Sequence, residues 1–205
     1  MKRLLTLSLA ALLAAALTGC GARGAKPVIY LYPEEETQVS VTLELDGTFT
    51  STYPDYGDGW TVTAQPDGTL TDPETGRTYY CLFWEGIIDR QFDLSAGFCV
   101  AGEDTAAFLE DALARLGLTE REANEFIIYW LPRMEGNPYN LISFQTDAYT
   151  DAAELTIAPA PDTLIRVFMA WKGLDQPVEV PAQELTAPTR TGFTAVEWGG
   201  AVLGK

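Results

Sequence analysis

The chain has 205 residues, with 13 basic and 29 acidic side chains, a formal charge of −16 and no histidine. A polyanion of this kind repels phosphate backbones, which excludes nucleic acid as a partner, and the missing histidine excludes Ser-His-Asp and Cys-His catalysis and zinc sites built on histidine. An apolar fraction of 47% with 11% aromatic residues is that of a chain able to pack a core.

Met1-Lys2-Arg3 is a positive start, residues 4–17 are apolar, and Thr18-Gly19 places two small residues before Cys20. That is the pattern of a secretory signal, and the apolar run is short for a spanning helix. Leu17-Thr18-Gly19-Cys20 resembles the lipobox of bacterial lipoproteins, in which cleavage precedes the cysteine and its sulfur carries a diacylglycerol. The expectation is a signal peptide over residues 1–19, a lipidated Cys20 with a short tether to residue 25, and one extracytoplasmic domain over residues 26–205. Membrane contact would then run through the lipid on Cys20, and a tether this short reaches about 15–20 Å. Cleavage leaves 186 residues with 11 basic and 29 acidic side chains, a formal −18.

Val28-Ile29-Tyr30-Leu31-Tyr32 is an unbroken β-type run ended by Pro33, as in a strand buried on both faces. Val39, Val41, Leu43 and Leu45 alternate with polar residues, the period of a strand with one wet face. Asp46-Gly47 reads as a hairpin turn, Phe49, Ser51 and Tyr53 as the return strand, and Trp60, Val62 and Ala64 as the next, so that the first third predicts an antiparallel meander. Residues 77–84 are apolar on both faces, with Tyr79, Cys81 and Phe83 on one and Tyr80, Leu82 and Trp84 on the other, ending in Glu85-Gly86.

From Asp104 the period becomes helical. Phe108, Leu109, Ala112, Leu113 and Leu116 share a face, Asp104 is the expected N-cap and Gly117 the stop. Thr119 and Glu122 form a capping box before Ala123, Phe126, Ile127, Trp130, Leu131 and Met134, with a kink or an end expected at Pro132. Asn137-Pro138-Tyr139-Asn140 reads as the turn closing this helical hairpin. Strands follow at residues 140–145, 154–158 and 164–171, the last apolar on both faces apart from Arg166. An arginine there needs an acidic partner, and Glu85 is the expected one. The tail from Gln183, with residues 193–198, is expected along the surface or as an edge strand.

Two carboxylates could run glycoside hydrolysis without histidine, and Glu85, with Glu125 behind it, is the candidate catalytic acid; paired with Arg166 it would serve structure instead. The loop Thr52-Tyr53-Pro54-Asp55-Tyr56-Gly57-Asp58-Gly59-Trp60 offers Tyr53, Tyr56 and Trp60 for stacking and Asp55 and Asp58 as oxygen ligands, or else folds its rings into the core. It does not match the twelve-residue calcium loop, so no metal site and no cofactor is expected. Cys81 and Cys99 could form a disulfide in an oxidising compartment or remain buried thiols.

Lys26-Pro27-Val28-Ile29-Tyr30-Leu31-Tyr32-Pro33, Trp84-Glu85-Gly86, Asn137-Pro138-Tyr139-Asn140 and residues 162–171 resemble a family of uncharacterised lipoproteins of Gram-positive bacteria. The resemblance implies a lipid-anchored location on the outer face of the cell membrane and carries no activity with it. The fold expected is α+β, mainly antiparallel β, sandwich-like or a mixed sheet, with one helical hairpin over part of it. The functions expected are a non-enzymatic binding module for a wall glycan, a peptide or a membrane-protein partner, then a carboxylate hydrolase, then a structural subunit of an envelope complex.

Overall fold

A computed structural model describes residues 22–204; the signal segment, Cys20 and its lipidation lie outside the described residues. The strands are β1 (Ala22–Tyr32), β2 (Thr37–Leu45), β3 (Gly47–Tyr53), β4 (Trp60–Ala64), β5 (Leu70–Thr71), β6 (Thr78–Tyr79), β7 (Leu82–Ile88), β8 (Phe98–Ala101), β9 (Tyr139–Gln145), β10 (Ala153–Ala158), β11 (Thr163–Leu174) and β12 (Thr194–Val202). Helix α1 spans Thr105–Arg115, α2 Glu120–Met134 and α3 Asp147–Thr150. Seven strands form one sheet in the order β3-β7-β1-β12-β11-β9-β8, and five form a second in the order β10-β2-β4-β5-β6. Of these pairings only β11 with β12 is parallel.

Alternation within the large sheet builds two cores. Ile29, Leu31, Leu82, Trp84, Phe168, Ala170 and Ala195 face the small sheet and meet Val39, Val41, Trp60, Val62 and Leu70. Val28, Tyr30, Val167, Met169, Val196 and Trp198 face the other way, onto Leu109, Leu113, Phe126 and Trp130 of the helices. The result is three layers, an α+β fold dominated by antiparallel β with one helical hairpin. Each large side chain fully buried this way contributes about 1.5–3 kcal/mol.

The helices begin and end where their sequence signals stand. Thr119 Oγ1 accepts the N–H of Glu122 at 3.4 Å while the Glu122 carboxylate accepts that of Thr119 at 2.8 Å, a complete capping box. At the end of α1, Gly117 (φ +86°) donates to Ala114 and Leu118 to Leu113, each at 3.0 Å, a Schellman turn that a residue with a Cβ resists. Asp104 stands at the N-cap without a side-chain cap bond, and α2 runs two residues past Pro132. Asn140 is buried and ties the hairpin to the sheet, donating to Thr105 Oγ1 and to the Met134 carbonyl, each at 3.0 Å.

Four expectations are corrected. Asp46-Gly47 is no hairpin: β2 pairs with β4 and β10, β3 pairs with β7, and the chain changes sheets there. Residues 77–84 are not one strand, because β6 belongs to the small sheet and β7 to the large one. The first strand begins at Ala22, paired with Ile88, so residues 22–25 belong to the sheet rather than to a tether. The C-terminal segment is no edge: β12 lies between β1 and β11. Its Gly199-Gly200 reads poorly as strand, yet a Cβ on Gly200 would lie 2.5 Å from the Met169 carbonyl and 2.7 Å from the Trp130 ring. Close approach of helix and sheet demands glycine at 200, and Pro27 of β1 crowds Gly199 in the same way.

Arg166 is not paired with Glu85. Its register partner is Glu197, fully buried on β12, and Arg166 Nε donates to Glu197 Oε2 at 2.7 Å. Trp84 Nε1 donates to Glu197 Oε1 at 3.1 Å, and Arg166 Nη2 donates to the Ala153 carbonyl at 2.7 Å. The guanidinium also lies 4.8 Å from the centroid of Tyr149, itself stacked on Phe168 at 4.1 Å. Arg166→Met leaves Glu197 buried without its cation and is expected to cost about 3–5 kcal/mol in urea unfolding. Glu85→Gln is expected to cost less, since Glu85 is only half-buried and the amide oxygen can still accept the Lys26 N–H; the reverse order would contradict the pairing.

Candidate functional site

The 53–60 loop folds its rings inward. Trp60 is buried and donates to the Pro54 carbonyl at 2.9 Å. Tyr56 packs edge-on against Trp60, with centroids 4.7 Å apart, and its hydroxyl accepts from Leu43 N (2.8 Å) and donates to Leu43 O (3.2 Å). A shallow cleft of about 410 Å³ remains between this loop and the turn at Asp72-Pro73-Glu74, with Asp55 on its wall; Asp58 is not part of it. Asp72 is committed to its own turn, accepting from Glu74 N (2.8 Å), Thr75 N (3.2 Å) and the Thr75 hydroxyl (2.8 Å), and these bonds hold its carboxyl below the usual range. Among the described residues no group of three or more cysteines or acids could hold a metal ion.

Tyr53 alone of the loop's rings turns outward, and it leads to a different place. A pocket of about 360 Å³ opens between β1, β3, β6 and the start of β7, walled by Tyr53, Tyr79, Tyr80 and Phe83 with Lys26 and Cys81 beneath. Tyr53 and Tyr80 are 55% and 51% exposed, so their rings face solvent, not the core. Tyr53 meets Tyr79 edge to face at 5.5 Å, and Tyr80 lies 6.4 Å from Tyr30. The wall arises from a slip in alternation where the chain leaves the small sheet: Tyr79 packs on the core between the sheets, Tyr80 turns outward, and Cys81 enters the core under the helices.

A bulge in β1 forms the floor. Between Ala25 and Val28 the register against β12 slips by one residue, and it slips likewise against β7 between Gly24 and Val28. Pro27 has no N–H to give either neighbour, which is why the ladder yields there. Lys26 takes a left-handed conformation (φ +52°), and its N–H is donated to Glu85 Oε1 at 3.3 Å. A Cβ on Gly199 would lie 3.0 Å from the Pro27 Cα and ring. The Lys26 ammonium lies 5.2 Å from the Tyr129 ring centroid and 5.6 Å from that of Trp198. Glu85, the candidate catalytic acid whose other reading is structural, thus lends a carboxylate oxygen to a backbone bulge.

Below the pocket Tyr30 donates its hydroxyl to Glu125 Oε2 at 2.7 Å. Burial, then Glu125, raises the Tyr30 phenol well above the ordinary range; burial and Glu122 raise that of Tyr32. Burial first and Glu125 second push the Cys81 thiol up to about 12, which keeps it protonated and unreactive as a nucleophile. Cys81 and Cys99 are both free, the thiol alternative of the two that the sequence leaves open, with Cys81 buried and Cys99 half-buried. Cys99 sits on β8, at the other end of the sheet from β7 by five strand spacings, about 24 Å, and accepts the Val178 N–H at 3.4 Å. The two-faced apolar pattern of residues 77–84 places Tyr79, Tyr80 and Phe83 in the core, and it gives no sign of Lys26. Proline within an apolar β run was the available signal, since in a central strand it marks a bulge.

No family model matches the chain, and no solved structure matches it. Among curated proteins it is similar to the uncharacterized protein in the bglA 3′ region of Butyrivibrio fibrisolvens, 44% identical over 85 residues that cover 37% of this chain and 86% of that protein.

Trp60→Ala is expected to destabilise the protein by about 3–5 kcal/mol in urea unfolding, as for a buried aromatic; a fully stable variant would contradict the inward packing. The raised thiol and phenols hold their protons more tightly in the folded state than in the unfolded chain. Their stabilisation is complete below the unfolded pKa, 9.0 for the thiol, and is lost as pH climbs toward about 12. A urea midpoint that falls between pH 9 and 12 checks this, and one constant across that window contradicts it.

Proposed function

The chain belongs to the family of the Butyrivibrio fibrisolvens protein, and for it we propose a lipid-anchored surface protein, tethered through Cys20, that binds a wall glycan in the tyrosine pocket. The observation that carries this reading is the pair of half-exposed rings, Tyr53 and Tyr80, on a pocket of about 360 Å³. Tyrosine presents a flat apolar face to the C–H face of a sugar and a hydroxyl to its polar edge. The volume is at the lower end for small-ligand sites. Hydrolysis by paired carboxylates needs two acids about one bond, and among the described residues the pocket wall carries none. Anchoring rests on the lipobox resemblance, and β1 entering the sheet at Ala22 would hold the domain close to the bilayer.

Tyr80→Ala is expected to weaken binding of wall oligosaccharides by about 1–2 kcal/mol, roughly five- to thirtyfold, in isothermal titration. Its melting temperature should stay within about 2 °C of the parent's, because the ring is exposed. Undiminished binding would remove the pocket from the account. Mass spectrometry of the chain from its native cell should find Cys20 as the first residue, bearing a diacylglycerol, whereas an unmodified Cys20 would remove the anchor.

A further inference from the structure

The ligand's charge can be read from the pocket floor. Resting on the assignment of the tyrosine pocket, we infer that the site takes an acidic sugar, a ring bearing a carboxylate that pairs with the Lys26 ammonium while the ring lies against Tyr79 and Tyr80. Among the described residues Lys26 is the one basic residue of the pocket lining, in a chain with 29 acidic against 13 basic residues. Among the described residues its ammonium makes no ion pair within 4.0 Å; it lies over Tyr129 and Trp198 instead. Aromatic faces hold a cation in place without neutralising it, so an incoming carboxylate meets the Lys26 charge on the lining, against the opposing charges of Glu85, at the Lys26 backbone, and of Glu125, which acts on Tyr80 and Cys81. The bulge places that charge there. A regular strand would give Lys26 neither its left-handed backbone nor its hydrogen bond to Glu85. A functional reason fits a lysine held in a conformation that side chains seldom adopt.

A peptide carboxylate offers the same charge, and the neighbouring strand argues against it. Extended peptides add to a free sheet edge, and the edge beside the pocket, β3, has its ladder interrupted between Phe49 and Ser51. No wall residue of the pocket belongs to a helix that could clasp a peptide from above. Tyrosine rings near right angles to one another, with Thr78 at the rim, suit a compact hydroxylated ring better.

The test uses the full chain in detergent, titrated calorimetrically with trigalacturonic acid, its neutral methyl ester and trialanine, in parent, Lys26→Met and Lys26→Arg forms. The parent should bind the acid about tenfold more tightly than the ester, as for a charge-assisted hydrogen bond. That preference should weaken as salt rises, vanish in Lys26→Met and persist in Lys26→Arg. Acid and ester bound equally by the parent would overturn the acidic-sugar inference while leaving the pocket standing. Loss of the ester as well in Lys26→Met, with unchanged melting, would make Lys26 a general contact and overturn the inference too. Trialanine bound more tightly than the uronate would assign the carboxylate to a peptide. No binding of either saccharide, with Tyr80→Ala equally inert, would overturn both the inference and the glycan reading beneath it.

Discussion

A proline in the middle of a sheet is the constraint on which the site depends. Pro27 stands in β1, between β7 and β12, where the ladder needs an N–H that proline lacks. The chain inserts one extra residue against both neighbours, and the rest follows from that insertion. Lys26 takes a positive φ, Glu85 accepts the N–H set free, and Gly199 loses the space for a Cβ. Three short stretches far apart in the chain, around residues 26, 85 and 199, are thereby one structural unit. Its product is a lysine on the lining of an aromatic pocket, with its ammonium over Tyr129 and Trp198.

The second organising contact is electrostatic. Burying Glu197 and Arg166 costs several kcal/mol per ion unless each is paired and its remaining groups are satisfied. The pair sits between the two sheets, and its satellites come from both: Trp84 on β7 in the large sheet, the Ala153 carbonyl on β10 in the small one. An apolar interface of the same shape would let the small sheet slide, whereas these directional bonds fix one register. The same requirement explains Arg190, which reaches from the long β11–β12 connection to the Gly117 carbonyl at 3.0 and 2.8 Å and to the buried Glu122, closing the connection over the helical hairpin.

Elements with a local signature were legible in the sequence. The alternation of β2 and β4, the capping box of α2, the Gly117 stop and the two-faced apolar run of β11 each carry their rule within a few residues. Long-range features were hidden for corresponding reasons. The partner of Arg166 lies 31 residues on, inside a segment whose two glycines argue locally against a strand and are needed by Trp130 and Pro27. Asp46-Gly47 has a hairpin's composition, yet its glycine serves the passage between sheets, where a Cβ would lie 1.9 Å from the Ile87 carbonyl. The 53–60 loop stands out in the sequence for its rings, but Trp60 is core and Tyr56 packs against it. The exposed ones, Tyr53 and Tyr80, are 27 residues apart and share one pocket because β3 pairs with β7, which sets Tyr53 opposite Phe83.

The claim that unites these features is that the tyrosine pocket, and not the acidic cleft beside Trp60, is where a ligand meets this protein. Side-chain NMR of ring-labelled tyrosines during titration with acidic wall oligosaccharides tests it most directly, because the tyrosines are spread over both places and the core. The account predicts that the ring signals of Tyr53, Tyr79 and Tyr80 move together and saturate with one affinity while those of Tyr56 and Tyr149 stay still. Movement confined to Tyr56, or none in the pocket rings while the ligand binds, would contradict it.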